Sequence, residues 1–172
     1  MTTDLFDLSG KVALVTGGNG GIGLGMATAV ATAGANVAVW GTNPDKNAAA
    51  KEQLSGIGIE AESYVCNVAD AADVNRAMAA TLARFGRIDA CFSNAGVTGR
   101  GAKSFLDITP DDWRRVMSVN LDGAFIPTRP CSGIWWSGRG REIKEAALLR
   151  YRAWRPCPVH HVMSITRQAK VH

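Results

Sequence analysis

Thr16-Gly17-Gly18-Asn19-Gly20-Gly21-Ile22-Gly23 is a run of glycines broken only by Asn19 and Ile22. Glycine lets a backbone turn sharply and lets it approach a bulky anion closely. Where such a run opens a helix, the free N–H groups and the helix dipole favour a phosphate or pyrophosphate. Further polar clusters follow: Asn67-Val68, Asn94-Ala95-Gly96, and Asn120 within Val119-Asn120-Leu121-Asp122-Gly123-Ala124-Phe125. Asn and Gly also serve turns, so each cluster alone is ambiguous. Their places relative to strands and helices decide between the two readings.

The elements fall around them in a regular way. Lys11–Thr16 is a short apolar run, the form of a strand buried on both faces, and the glycine loop follows it directly. Small and apolar residues then continue to Gly34, as in a helix that stops at a glycine. Asn36–Trp40 reads as a second strand, and Asn43-Pro44 starts a helix through Lys51. Ile59–Cys66 is a third strand, after which Val74, Met78, Leu82 and Phe85 recur at helical spacing up to Gly86. Ile88–Asn94 is a fourth strand. Thr109-Pro110-Asp111-Asp112 carries an N-cap, an N1 proline and first-turn acids, which predicts one helix on through Phe125. Alternating strands and helices predict a Rossmann-like, doubly wound parallel α/β sheet in the order 3-2-1-4. The glycine loop, Asn67-Val68 and Asn94-Ala95-Gly96 then all follow strands, where that fold binds ligands, and Asn120 lies on a helix.

Composition sets the outer bounds. The 172 residues suit one domain, and no apolar run is long enough for a membrane span. The opening MTTDLFDLSG has acids where a signal peptide has basic residues, so a cytoplasmic protein is expected. Cys66, Cys91, Cys131 and Cys157 are scattered, with no C-x-x-C pair, and Cys66 and Cys91 read as reduced core thiols. Cys157, His160 and His161 lack a fourth ligand, so no metal site is expected. Charge is uneven: residues 1–129 balance at −2 and residues 130–172 at +6, within a total of +4.

From Leu8 to Arg129 the chain resembles the classical short-chain dehydrogenase/reductase family. Its T-G-x-x-x-G-x-G is met by Thr16, Gly17, Gly21 and Gly23, its N-A-G by Asn94–Gly96, and its helix asparagine by Asn120. The resemblance implies a cofactor site of Thr16, Gly17, Asn19, Gly20, Gly21, Ile22, Gly23, Thr42, Asn67, Val68, Asn94, Ala95 and Gly96. Asn67 stands where the family has an adenine-contacting acid. The implied cofactor is NAD or NADP. Gly41 and Thr42 follow the second strand, with no acid to repel a 2′-phosphate and no arginine to clamp one. That leans to NADP and leaves NAD open. The implied reaction moves a hydride between the nicotinamide and a small-molecule alcohol or carbonyl. In the family a serine, a tyrosine and a lysine carry it with the asparagine as relay, so Asn120 is the one catalytic candidate here. The opening LFDLSGKVALVTG is similar to members acting on sugar acids or 3-oxoacyl groups.

No Tyr-x-x-x-Lys occurs in the chain. Tyr151 is followed four residues on by Arg155, in surroundings unlike the family's. Residues 130–172 instead form an atypical basic tail that holds Trp135, Trp136 and Trp154. Reading the coding bases of the tail one base earlier changes this. Across Glu145–Arg155 the permitted residues include G-S-I-V-x-I-S-S-L-A, and across Ile165–His172 they include Y-x-A-S-K-G-A. These are the family's serine strand and its tyrosine–lysine helix. The serine straddles codons 152 and 153 and the tyrosine codons 165 and 166, a separation that matches the family's. The frame is therefore expected to change near Thr128–Pro130, leaving an incomplete Rossmann domain, 1–129, and a poorly ordered tail that is inactive as written. Ala146–Leu149 is the one apolar patch in that tail able to cover the fourth strand's edge.

Two other readings stay open. One is a non-catalytic module that binds a dinucleotide. The other takes the Arg-, Gly- and Trp-rich tail as a nucleic-acid arm, which the hidden frame disfavours. Family members assemble as homo-oligomers through the helix that carries Asn120 and through the tyrosine helix. The tyrosine helix is missing here, which leaves the oligomeric state of this chain open.

Overall fold

Val12–Thr16 forms strand β1, and every one of its residues is buried. Side chains alternate across a strand, so Leu14 joins one core and Val15 another. That is why the run is continuously apolar. The computed structural model describes residues 6–99 and 104–136 of the protein. After β1 come α1 (Gly21–Thr32), β2 (Asn36–Gly41), α2 (Pro44–Ser55), β3 (Ala61–Val65), α3 (Ala71–Phe85) and β4 (Ala90–Ser93). A 3-10 turn at Phe105–Asp107 leads into α4 (Pro110–Met117), a π-helical turn (Ser118–Asp122) and α5 (Gly123–Trp136).

The four strands form one parallel sheet in the order β3-β2-β1-β4, as the alternation predicts. Val12 pairs with Asn36 and Ala13 with Ala90, so β1 has neighbours on both sides. On one face Val15, Val37 and Val39 pack with Ala27 and Ala31 of α1 and Leu54 of α2. On the other, Leu14, Ala38 and Trp40 pack with Val74, Ala77 and Met78 of α3 and Cys131 of α5. Trp40 is fully buried, and its Nε1 donates to Thr81 Oγ1 at 3.1 Å. That bond satisfies the indole N–H inside the core.

Helix ends follow the sequence. Gly34 and Gly86 take φ of +95° and +73°, the left-handed conformation that stops α1 and α3. Asp70 caps α3 through the N–H groups of Ala72 and Asp73. Thr109 and Asp112 form a capping box at α4.

The expected helix from Thr109 runs through Phe125 and on to Trp136 without a non-helical residue. What the sequence did not predict is the π turn at Ser118–Asp122, a bulge inside the helix where α4 passes into α5. Two long-range contacts account for it: Asn120 is held by Val97, and Gly123 abuts Val68. A Cβ at position 123 would lie 2.6 Å from Val68 Cγ2. α5 runs across residue 129, carries Pro127 and Pro130 inside it, and buries Cys131. Residues 137–172, including the patch Ala146–Leu149 and the histidines, lie outside the described residues. No described helix is long and apolar enough to cross a membrane.

Candidate functional site

The glycine loop leaves the end of β1 and enters α1. Gly17 and Gly21 have φ of +66° and +52°, which favours glycine. Gly17 N donates to Trp40 O at 2.7 Å, tying the loop to β2. Gly23 is required by contact rather than by torsion. A Cβ there would lie 2.2 Å from Gly17 O and 2.4 Å from Asn94 Nδ2. At Gly20 and Gly21 the same construction meets nothing within 4 Å. The loop thus has a packed underside and an open ledge above. Gly20 starts α1 without a side-chain cap, and Ile22 is exposed beside it.

Thr16 joins this loop to the segment after β4. Its buried Oγ1 accepts from Asn94 N at 3.0 Å and Ala95 N at 3.1 Å, and donates to Phe92 O at 3.3 Å. Asn94 Nδ2 reaches back to Thr16 O at 3.2 Å. Gly96 follows, with room for a Cβ only 3.3 Å from Asn120 Oδ1. The amide of Asn120 is spent on the backbone of Val97, its Oδ1 accepting from Val97 N and its Nδ2 donating to Val97 O. Asn120 thus fixes the path of the chain beyond β4.

The remaining predicted residues sit at the ends of β2 and β3. Thr42 is exposed just past β2. Asn67 is exposed past β3 and folded into a local turn, its Oδ1 accepting from Ala69 N at 3.1 Å. Its backbone N–H donates to Asp73 Oδ2 at 3.2 Å. That bond, with the Arg76 side chain, holds the Asp73 carboxyl below the usual carboxylate range. Val68 is buried against α5. Burial also pushes the neighbouring Cys66 thiol up to about 11, helped by the Asp73 charge.

The loop at Thr16–Gly23 and the segment at Asn94–Gly96 are in direct contact. Thr42, Asn67 and Val68 continue the same carboxyl edge of the sheet through the ladder β1-β2-β3. The edge is the place where the strand order reverses around β1, the crevice that doubly wound sheets use for ligands. Sequence reasoning missed Asn47. It is buried, and with Ala50 and Leu54 it lies on the inner face of α2. A polar residue on an apolar helical stripe was the available signal.

Comparison with known proteins agrees with this fold. Residues 11–143 match the short chain dehydrogenase family. The sorbose reductase of Candida albicans is 38% identical over 122 residues, covering 71% of this chain and 43% of that protein. The D-threitol dehydrogenase of Mycolicibacterium smegmatis is 41% identical over 121 residues, 70% of this chain and 46% of that one. Among solved structures, an NAD+-bound xylitol dehydrogenase superposes with a TM-score of 0.69 at 37% identity, over 73% of this chain and 48% of that one. A metagenomic short-chain oxidoreductase in complex with NADP gives 0.71 at 30% identity, over 77% of this chain and 59% of that one. The chain spans about half the length of the curated relatives it matches. With its family match over residues 11–143 and its β3-β2-β1-β4 sheet, the chain belongs to the short chain dehydrogenase family.

Proposed function

We propose that this chain binds a nicotinamide dinucleotide along the carboxyl edge of its sheet and, as written, does not turn it over. The observation that carries the binding half is the glycine loop: close-packed beneath at Gly23, open above at Gly20 and Gly21. A pyrophosphate fits such a ledge, because backbone N–H groups at the start of α1 can donate to it and no side chain intervenes. Gly17, Asn19, Gly20, Gly21 and Ile22 take the phosphates, with Thr16 and Gly23 holding the loop from beneath. Thr42 faces the adenosine ribose, Asn67 the adenine with the buried Val68 backing it, and Asn94, Ala95 and Gly96 the nicotinamide side. Either NAD or NADP suits the described residues. The lack of an acid at Gly41 and Thr42 leans to NADP.

When bound, the nicotinamide supplies or accepts a hydride. The chain's own residues must then hold and move the substrate proton, and here they fall short. Two tyrosines occur in the whole sequence. Tyr64 lies on β3, its hydroxyl donating to Ala80 O at 3.2 Å, with Val68 rather than a lysine four residues on. Tyr151 has Arg155 in that place. Asn120 is present but cannot act as a proton donor by itself. The serine, tyrosine and lysine are instead legible one base earlier in the tail codons, which supports a frame change near Thr128–Pro130. In the restored frame the protein is a dehydrogenase or reductase of a small alcohol or carbonyl, and the names of its relatives favour a polyol.

Calorimetry with NADPH and NADH, paired with absorbance assays on ketoses with NADPH or NADH and on sugar alcohols with NADP+ or NAD+, tests both halves. The expected result is saturable binding without turnover. Turnover by the purified 172-residue chain would overturn the inactivity, and absence of binding would overturn the site.

A further inference from the structure

Asn47 has no part in the reading above, yet it makes three side-chain hydrogen bonds while 2% exposed. Its Nδ2 donates to Gly41 O at 2.9 Å and to Tyr64 O at 3.1 Å. These carbonyls lie on β2 and β3, so both amide protons are used and the orientation of the amide is fixed. Its Oδ1 must then point the other way, and it accepts from Asn19 Nδ2 at 2.7 Å. Asn19 belongs to the glycine loop. One buried side chain on α2 therefore links two strands to that loop.

The bridge also explains Gly41. A Cβ there would lie 2.2 Å from Asn19 Nδ2 and 2.6 Å from Asn47 Oδ1. The φ of Gly41 is not in the left-handed region, so backbone strain is not the reason for glycine. Position 41 is kept bare because the Asn19–Asn47 bond passes over it. A carboxylate on β2 at this position would have to displace the bridge.

We infer that Asn47 is a positioning residue for the cofactor loop, acting through Asn19, and that the Asn19–Asn47 bridge holds position 41 as glycine. This rests on the proposed dinucleotide site. An ordered loop binds more tightly because less conformational freedom is lost on binding. The mechanism predicts coupling: once Asn19 is gone, Asn47 has nothing left to position.

The test uses the full chain and the variants Asn19→Ala, Asn47→Ala, Gly41→Ala and Asn19→Ala/Asn47→Ala. Two readouts are taken: NADPH affinity by calorimetry, and backbone amide order parameters of residues 17–21 in the free protein. Each single change should weaken NADPH about tenfold and lower the order parameters of the loop. The double variant should bind no more weakly than Asn19→Ala. A purely structural Asn47 would instead lower Tm and add its full affinity cost in the Asn19→Ala background, which would overturn the inference. Unchanged loop order in both Asn47→Ala and Asn19→Ala would overturn it as well. Asn19→Ala keeps the strand carbonyls paired, so it remains informative if Asn47→Ala fails to fold. If wild type binds no NADPH while the loop order still falls in the variants, the dinucleotide reading fails and the bridge stands.

Discussion

Asn120 and Val97 hold each other by two hydrogen bonds, Oδ1 accepting from Val97 N at 2.8 Å and Nδ2 donating to Val97 O at 3.0 Å. A side-chain amide here does the work of a neighbouring strand. It pins the segment beyond β4 to the π turn, so the catalytic asparagine of the family pattern has a structural duty in this chain. Asn120→Ala should lower stability by about 1 kcal/mol, the usual net worth of such bonds at an exposed site. Urea denaturation reads this directly, and an unchanged midpoint would show that the clamp carries nothing.

Gly23 offers a sharper test of the loop. Gly23→Ala puts a methyl 2.2 Å from Gly17 O, a backbone atom that cannot move without opening the loop. NADPH affinity should fall more than tenfold while far-UV circular dichroism stays that of the wild type. Gly25→Ala is the control, because a Cβ there meets nothing within 4 Å. Equal affinity in the two variants would remove the loop from the binding site.

The pH dependence of stability follows from four depressed carboxyls, of which Asp7 is held low by the side chain and N–H of Ser9. Asp73 is held low by the Asn67 N–H and Arg76, and Asp112 by the hydroxyl and N–H of Thr109. Burial alone would raise Glu62, but the Lys51 bond, the Ser63 N–H and nearby positive charge outweigh it. A group depressed in the folded state stabilises fully above its unfolded pKa and loses that contribution as pH falls through the folded value. The urea midpoint should therefore be flat from neutral pH to about 5 and fall below about 4. Asp112→Asn should make that acid limb shallower. A midpoint that rises on acidification would contradict the assignment.

Cys66 should be inert. Its thiol is buried and shifted up to about 11, so the thiolate that reacts with iodoacetamide is scarce at pH 8. Mass spectrometry should find it unlabelled in the native chain and labelled in urea. Rapid native labelling would mean that α3 does not cover the end of β3 as described.

The strands and the glycine loop were legible because local pattern decides them. Lys11–Thr16 has the form of a two-sided strand, and a glycine run between strand and helix has few uses. The π-bulge at Ser118–Asp122 was not legible. Beyond Pro110 at its first position, the helix to Phe125 contains no proline and one glycine, and the turn is set by contacts with Val97 and Val68 that are remote in sequence. Asn47 failed for a related reason. Its place on the buried stripe of α2 could be read, but its partner Asn19 lies 28 residues away. The frame match in the tail codons was legible from sequence alone, and residues 137–172 fall outside the described structure.

The most direct measurement is a 1H–15N titration of the purified chain with NADPH, resolved by residue. The largest saturable shifts should fall on the backbone amides of Gly17, Asn19, Gly20, Gly21 and Ile22, with a second group at Asn94–Gly96. Saturable shifts elsewhere that leave the glycine loop untouched, or no shifts at any concentration, would contradict a dinucleotide site at the carboxyl edge of the sheet.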